Sequence, residues 1–272
     1  MRCLSILPLS LALLLGGGAA PVPRPQRIVS LNLCADQYLV ALADRGQIAA
    51  LTQVARDPAM SAVASAARSM PVIRGSAEEV LALRPDLIVA APGRLYGPLG
   101  LIGRNGRVAT LDVDVVDSYD GIRRQVREVA AAVGHPERGA ALIADMDRRL
   151  ARLPANAGGG ATAAYYQRRG YMTGGGTLVD ELIRRVGLRN LATRLGKPAL
   201  ARVGLEEMAL ARPDYLIVES DSEAVVDRGT EMLRHPLLAR IPRLRIPQAW
   251  TVCGGPAYVR AAASLSAQLR AR

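Results

Sequence analysis

The sequence predicts an α/β protein of two similar lobes, each with a parallel central sheet, connected by one long rigid helix. A unit occurs twice, at residues 78–89 and 206–218, and both copies carry two glutamates, a short apolar run and Arg-Pro-Asp before a β-type run. Strands alternate with helices on both sides of a strongly helical centre, without the tight turns of β-hairpins. Because a solenoid needs three or more copies, a unit that occurs twice favours two lobes.

Each copy of the repeated unit contains signals that start and stop a helix. Ser76 followed by Glu79 is a capping-box pattern, and Gly204 and Glu207 stand in the same register. The proline of each copy cannot continue a helix, so a strand is expected directly after it. The pattern assigns Glu79 and Glu207 to capping, and it leaves the glutamate before each of them facing water without a local role.

The first 20 residues have the three parts of a secretory signal. Arg2 precedes an apolar run from Leu4 to Leu15, and small residues follow. The run is too short to span a membrane. We expect cleavage after Ala19 or Ala20, which makes the mature protein a secreted one. A retained anchor is the alternative.

The composition indicates a basic, globular protein. Half of the 272 residues are apolar, which is enough for a sizeable core, and the formal net charge is +11. Lys197 is the only lysine, so nearly all of the positive charge is arginine, whose planar fork suits carboxylate or phosphate. An anionic small ligand is therefore expected. Nucleic acid is not an expected partner, because the chain has no basic run of five residues and only 3% aromatic residues.

The order of the predicted elements sets the domain limits. After the signal peptide at 1–20, residues 24–119 form the N-terminal lobe, 120–153 the helical connection and 154–272 the C-terminal lobe. The last strand is expected at 246–252. Ligands of parallel α/β lobes bind at the carboxyl ends of the strands, so the cleft between the lobes is the expected site.

Arginine and aromatic residues dominate the loops that follow the predicted strands. Such a set can hold a bulky anionic ligand by charge and stacking. The alternative for any single member is a solvated arginine or a tucked aromatic ring. The expected ligand-binding residues are Asn32, Cys34, Arg56, Arg74, Arg94, Tyr96, Arg168, Tyr171, Arg202, Glu219, Trp250 and Cys253.

Two cysteines, Cys34 and Cys253, remain after the signal is removed. They could form a disulfide between the lobes, stay as free thiols in the cleft, or be buried as small hydrophobic residues. A bridge needs Cα atoms about 4.4 to 6.8 Å apart, so the sequence leaves the three alternatives open.

No catalytic motif is present, and we expect neither an enzyme nor a bound cofactor. The sequence has no Gly-x-Ser-x-Gly, P-loop or Cys-x-x-Cys pattern. The glycines at 174–176, between a strand and a helix, keep a nucleotide-dependent α/β enzyme as one alternative. A receptor for a free metal ion is the other, but the only histidines, His135 and His235, are far apart. A metal already wrapped in a chelate needs no such protein ligands.

Four features together are specific enough to indicate a family. They are Arg-Ile-Val-Ser-Leu-Asn at 27–32, both copies of the repeated unit, a helix that ends near Leu153, and Gly-Thr-Leu-Val-Asp-Glu-Leu at 176–182. With them the chain resembles the periplasmic substrate-binding proteins of ABC importers for cobalamin, ferric siderophores and haem. The resemblance implies a rather rigid, monomeric, periplasmic receptor with two lobes that delivers a metal chelate to a membrane permease.

The resemblance also implies how the receptor meets its transporter. In such proteins one exposed glutamate on each lobe contacts arginines on the two permease subunits, and Glu78 and Glu206 stand in the matching positions. The cysteines differ from those of the cobalamin binders, since Cys34 and Cys253 lie in different predicted lobes rather than both in the second. This difference and the arginine-rich loops favour an anionic ferric siderophore over cobalamin.

Overall fold

A computed structural model describes residues 24–93 and 108–272. The elements of the N-terminal lobe are β1 (Ile28–Ser30), α1 (Leu33–Leu42), β2 (Ile48–Thr52), α2 (Ala64–Ala67), β3 (Val72–Ile73), α3 (Ala77–Ala82), β4 (Leu87–Ala90) and β5 (Ala109–Asp112). The five strands form one parallel sheet in the order β3-β2-β1-β4-β5. The central strands β1 and β4 are apolar except for Ser30, because both of their faces are buried.

The connection consists of two helices, α4 (Tyr119–Ala132) and α5 (Pro136–Ala151). They pack against each other across a turn in which Gly134 has a positive φ of 80°. Proline at the first position of α5 suits the start of a helix. The 16-residue α5 is the element that leads into the second lobe, in keeping with the expected long helix. The domain limits at 119/120 and 153/154 stay a prediction.

The C-terminal lobe contains β6 (Thr162–Tyr165), β7 (Tyr171–Thr173), α6 (Leu178–Arg185), β8 (Arg189–Asn190), α7 (Leu191–Arg194), β9 (Leu200–Arg202), α8 (Leu205–Ala211), β10 (Tyr215–Glu219), α9 (Ser220–Ala224), β11 (Arg243–Ile246) and α10 (Tyr258–Arg270). Its main sheet is parallel in the order β11-β10-β6-β8. Short 3₁₀ helices lie at Arg45–Gln47, Gln53–Arg56, Arg168–Gly170, Glu231–Arg234, Pro236–Leu238 and Gln248–Trp250.

Parallel pairing of the main strands is confirmed, but one pair differs from the expectation. β7 and β9 form a separate antiparallel ribbon, in which Tyr171 pairs with Arg202. The sequence predicts both residues in loops. Met172 is fully buried, whereas its neighbours Tyr171 and Thr173 are exposed and half-buried. This alternation is typical of a strand, and it explains why the short segment forms a ribbon.

The Arg-Pro-Asp part of the repeated unit has the same structural role in both lobes, since it ends a helix and positions a strand. Arg84 and Arg212 take left-handed backbone conformations, with φ of 45° and 44°, and so end helices α3 and α8. Asp86 then accepts hydrogen bonds from the backbone just before β1, and Asp214 accepts one from the Thr162 N–H at 2.7 Å. Each aspartate thereby fixes the start of the first strand of its lobe.

The largest cluster of the buried core extends through both lobes. One cluster of buried side chains includes Leu39 of α1, Val126 of α4, Ile217 of β10 and Leu265 of α10. Shared burial of this kind stabilises the arrangement of the lobes as well as each lobe. Within residues 24–93 and 108–272, no helix has both the length and the apolar character needed to cross a membrane.

Candidate ligand cleft

A cavity of about 430 Å³ opens at the carboxyl ends of the N-terminal sheet. Two predicted residues, Asn32 and Arg74, line it, together with Thr52 and Gln53 at the end of β2. Asn32 Oδ1 accepts the N–H groups of Cys34 and Ala35 at 2.7 and 3.2 Å as the cap of α1. Its Nδ2 is therefore the group left to donate. Four of the nine residues that line the cavity are polar, and Thr52 and Gln53 could have been found by applying the strand-end rule to β2.

A buried carboxyl group lies beneath this cavity. Asp36 is fully buried, and it accepts hydrogen bonds from the N–H and the hydroxyl of Thr52 at 3.1 and 2.5 Å. Burial raises the pKa of Asp36 to about 6, although the hydrogen bonds from Ser30 and Thr52 oppose the shift. Thr52, a cavity residue, is thus positioned by a carboxyl that has no solvent contact.

The other N-terminal candidates do not join Arg74. Arg56 donates to the carbonyl oxygens of Ala67 and Met70 at 3.3 and 2.6 Å, so its guanidinium holds the chain around α2 and not the cavity. The prediction that Arg56 faces the cleft therefore gives way to a structural role. Arg94 and Tyr96 lie outside the described residues.

Three of the C-terminal candidates are paired on the lobe surface. Arg168 forms an ion pair with Asp227, with Nη2 and Oδ2 2.5 Å apart. The guanidinium of Arg202 lies 6.0 Å from the ring centre of Tyr171, its partner in the β7–β9 ribbon. The cavity that Asn32 and Arg74 line is bordered by residues of the N-terminal lobe, so the two groups of candidates do not share it.

Glu219, predicted as a cleft residue at the end of a strand over 215–219, is the buried last residue of β10. Its carboxylate accepts hydrogen bonds from Tyr165 Oη at 3.1 Å and from Gln167 Nε2 and Ser222 Oγ at 3.0 Å each. Burial, and then the charge of Glu219, raise the pKa of Tyr165 well above its ordinary value. The Glu219 carboxylate serves the internal structure of the lobe, because it is buried and accepts hydrogen bonds from three side chains of the same lobe.

Trp250 was expected in the last strand, and this expectation is wrong. β11 ends at Ile246, and Pro247, which has no N–H for a ladder, precedes a 3₁₀ turn that contains Trp250. The Arg260 guanidinium lies 5.6 Å from the indole ring and donates to the carbonyl oxygen of Ala62 at 3.0 Å. Trp250 is therefore part of a contact between the lobes.

Cys34 and Cys253 form a disulfide, with Cα atoms 5.3 Å apart. The bridge decides among the three alternatives, and neither thiol is free. Beside it, the Tyr38 hydroxyl donates to the carbonyl oxygen of Gly254. A Cβ at Gly254 would lie 1.9 Å from Val116 Cγ2, so only glycine permits this approach of the lobes. The segment that follows β1 is thus joined covalently to the segment that follows β11.

The two predicted docking glutamates are both exposed on short helices. On α3, Ser76 and Glu79 form the predicted capping box, and Glu79 Oε2 accepts the N–H groups of Gly75 and Ser76 at 2.9 and 3.1 Å. Glu78 stays outside this box. Its pKa is lowered by its own backbone N–H and by the Ser76 hydroxyl.

On α8 the predicted cap by Glu207 is wrong. The helix starts at Gly204 without a side-chain cap, and Glu207 Oε1 instead pairs with Lys197 Nζ at 2.7 Å. Gly204 has no side chain to complete a box, so the carboxylate turns to the nearby cation. Glu206 remains exposed, as Glu78 does.

The glycine segment at 174–176 is a packing feature. A Cβ at Gly174 would lie 1.9 Å from the carbonyl oxygen of Pro198. At the start of α6, Thr177 caps the N–H of Asp180, and Asp180 Oδ2 accepts the Gly176 N–H at 3.4 Å. The chain's own carboxylate thus occupies the place where a nucleotide phosphate would bind. In the described ranges, no three His, Cys, Asp or Glu side chains converge in a way that could hold a metal ion.

The chain belongs to the periplasmic binding protein family, whose sequence profile matches residues 28–245. This is a family of binding proteins. Among solved structures, it is similar to the periplasmic haem-binding protein RhuT from Roseiflexus sp. RS-1, with 23% identity, a TM-score of 0.71, and 90% of this chain and 98% of that chain covered. A periplasmic haem-binding protein from Pseudomonas aeruginosa has 21% identity and a TM-score of 0.72, over 91% and 93% of the two chains.

A curated relative from Halobacterium salinarum, described as a cobalamin-binding protein, is 22% identical over 216 residues. The match covers 78% of this chain and 58% of the relative's length. At these identities the solved structures establish the α/β fold with parallel sheets.

Proposed function

We propose that the protein is a periplasmic receptor that captures a metal chelate and delivers it to the permease dimer of an ABC importer. The chelate is a ferric siderophore, haem or a cobalamin-like molecule. The observation that carries the proposal is the Cys34–Cys253 bridge, because it brings the carboxyl ends of the two parallel sheets together at the base of one cleft. Ligands of parallel α/β sheets bind at these ends.

The chemistry of the cavity supports a chelate whose metal is already coordinated. Asn32, Gln53 and Arg74 offer two amides and a guanidinium group, which bind the oxygen-rich edge of a ligand and not a bare cation. The Thr52 hydroxyl already donates to Asp36. Both thiols of the mature chain are in the disulfide. His135 is buried at the start of α5, 3.0 Å from Asp44. The polar side chains among the described cavity residues are therefore suited to bind the outer atoms of a chelate and not its metal.

Delivery requires that the permease can bind an exposed surface on each of the two lobes. The second glutamate of each repeated unit is used within the protein, Glu79 in a capping box and Glu207 in an ion pair. Glu78 and Glu206 are exposed one position earlier, at matching places in the repeat. We assign these two carboxylates to contacts with arginines of the two permease subunits.

Cargo binding is tested with the purified mature protein. Trp250, the only tryptophan, lies at the junction of the lobes, so its fluorescence should change when ferric siderophores, haemin or cobalamin are titrated. Arg74→Gln should weaken binding of an anionic chelate by about tenfold or more, the value of a charge-assisted hydrogen bond. Arg148→Gln is the control, since Arg148 lies on the exposed face of α5. Absence of any response to the panel, and of chelate in protein purified from periplasm, would refute the proposal.

Docking is tested separately with Glu78→Arg/Glu206→Arg. This variant should bind cargo as the wild type does but fail to support uptake by the transporter. Glu128→Arg/Glu231→Arg makes the same charge change at two other exposed positions and should leave uptake intact. Uptake that survives in the first variant would remove the assignment of Glu78 and Glu206 while leaving the cargo site standing.

A further inference from the structure

A second cavity, of about 390 Å³, lies on the C-terminal lobe apart from the cleft residues. Three arginines from three different elements line it: Arg184 in the last turn of α6, Arg189 on the edge strand β8, and Arg194 at the end of α7. Exposed arginines usually spread over a surface because like charges repel. Their convergence on one cavity therefore calls for an anion.

The single carboxylate in the cavity does not supply that anion. Asp180 is buried, and each of its oxygens already has partners. Oδ1 accepts Asn190 Nδ2 at 3.0 Å and Thr193 Oγ1 at 3.4 Å, while Oδ2 accepts the Gly176 N–H at 3.4 Å and Arg184 Nε at 3.2 Å. Asp180 thus neutralises one guanidinium and shapes the floor of the cavity.

The remaining cations are Arg189 and Arg194. Arg194 donates to the carbonyl oxygen of Ala211 at the end of α8. The Arg189 side chain is exposed, and within the described part of the chain it makes no hydrogen bond or ion pair. Three guanidinium groups against one carboxylate leave a net charge of +2 around the cavity. Guanidinium forks match the oxygen geometry of phosphate.

We propose that this cavity is a phosphate-binding pocket, with Arg189 and Arg194 as the principal contacts and Arg184 as a supporting one. The ligand is a phosphate group that comes either from a soluble diphosphate or from the headgroup of an anionic lipid. A lipid is reachable because Arg194 adjoins α8, the helix that carries the exposed Glu206. The soluble source needs no such proximity. The lipid source rests on the proposed docking through Glu206, whereas the phosphate pocket itself depends on neither the docking nor the chelate.

The test compares wild type, Arg189→Gln/Arg194→Gln and Arg148→Gln/Arg149→Gln. The last variant loses the same charge from exposed positions on α5. Inorganic diphosphate is titrated by calorimetry at low ionic strength, and each protein is co-sedimented with vesicles of phosphatidylglycerol or phosphatidylcholine. We expect the pocket variant to bind phosphate about tenfold more weakly than wild type and the control to bind as wild type does.

Binding of diphosphate alone identifies a soluble ligand, and binding to phosphatidylglycerol vesicles that diphosphate displaces identifies a lipid headgroup. Either result supports the proposed pocket if Arg189→Gln/Arg194→Gln no longer shows that binding. Absence of both, or equal losses in the pocket and control variants, overturns the proposal. Since Arg194 also holds α8, the single variant Arg189→Gln should lose about threefold with an unchanged melting temperature, and no loss there counts against the pocket.

Discussion

The two lobes present the same exposed glutamate on a similar short helix, yet they hold that helix differently. The N-terminal α3 starts with a capping box that Ser76 and Glu79 complete within one turn of the chain. The C-terminal α8 starts at a glycine, and Lys197, from the segment before β9, holds Glu207 instead. The ends of the helices are the same in both lobes, since each finishes with a left-handed arginine before proline. The repeat thus preserves the helix end and the outward acid, while the start of the helix varies.

Two buried aspartates at matching positions of the two lobes also differ in their partners. Asp36 and Asp180 each lie in the first turn of the first long helix of their lobe, and both are buried. Asp180 has the Arg184 cation at 3.2 Å, whereas the hydrogen-bond partners of Asp36 are neutral groups of Thr52 and Ser30. Burial without a cation leaves the charge of Asp36 uncompensated. The raised pKa of Asp36 should therefore make the stability of the N-terminal lobe depend on pH.

The largest expected effect breaks the covalent link between the lobes. Cys34→Ser/Cys253→Ser opens a loop with a sequence separation of 219 residues, and chain entropy gives a loss of unfolding free energy of about 5 kcal/mol. Urea unfolding followed by Trp250 fluorescence and by circular dichroism should coincide in the wild type and separate in the variant. A loss below about 1 kcal/mol, small beside the typical disulfide contribution, would show that the shared core alone joins the lobes.

The next effect concerns Asp36 and has a defined sign. Its pKa of about 6 in the folded protein lies above the ordinary 3.8, so at neutral pH the folded state carries the full cost of a buried charge. As pH falls through 6, the folded state takes up a proton before the unfolded state does. Relative to Asp36→Asn, the wild type should therefore gain about 2 kcal/mol of unfolding free energy between pH 7.5 and pH 4.5. Parallel pH profiles of the two proteins in urea unfolding would contradict this account.

Removal of the N-terminal capping box should have a smaller effect. Ser76→Ala leaves the Glu79 N–H without its acceptor at 3.2 Å, which costs about 1 kcal/mol of unfolding free energy. Gly204→Ser in the C-terminal lobe is the matched change, because it adds the missing cap and should stabilise α8 by a few tenths of a kcal/mol, roughly the difference between serine and glycine caps. Thermal unfolding measures both. Equal shifts of the same sign would show that local capping does not distinguish the lobes.

The smallest effect is expected at Lys197. The ion pair with Glu207 is partly exposed, so Lys197→Met should cost only about 0.5 kcal/mol. The loss should fade in high salt, and the exchange Lys197→Glu/Glu207→Lys should recover most of it. Stability of α8 in hydrogen exchange is the measurement. A salt-independent loss would mean that the lysine stem, and not its charge, supports the helix.

The parts of the fold set by local chemistry could be predicted from sequence. Strand β2 and the end of β10 follow from apolar runs beside turn formers, and the box at Ser76 follows from its side chains. Features set by distant partners could not be predicted. Glu207 forms an ion pair with Lys197, which lies in another segment of the chain. The disulfide partner of Cys34 lies 219 positions away.

The candidate site was partly predictable for the same reason. Asn32 and Arg74 lie where the strand-end rule places them, at one cavity. Arg56 is drawn back to backbone carbonyls of its own lobe, and Glu219 turns inward to three donors. A loop position indicates that a side chain is near the cleft, but the direction of the side chain depends on which internal acceptors and donors are within reach.

The disulfide also closes most of the protein into a covalent ring. The ring contains every strand except β1 and both connecting helices, while β1 and α10 lie outside it. A single protease cut anywhere between Cys34 and Cys253 would therefore leave the two fragments attached, and they would separate on a gel only after reduction. During synthesis from the N-terminus, Cys34 emerges long before Cys253, so its thiol must wait for the second lobe before the ring can close.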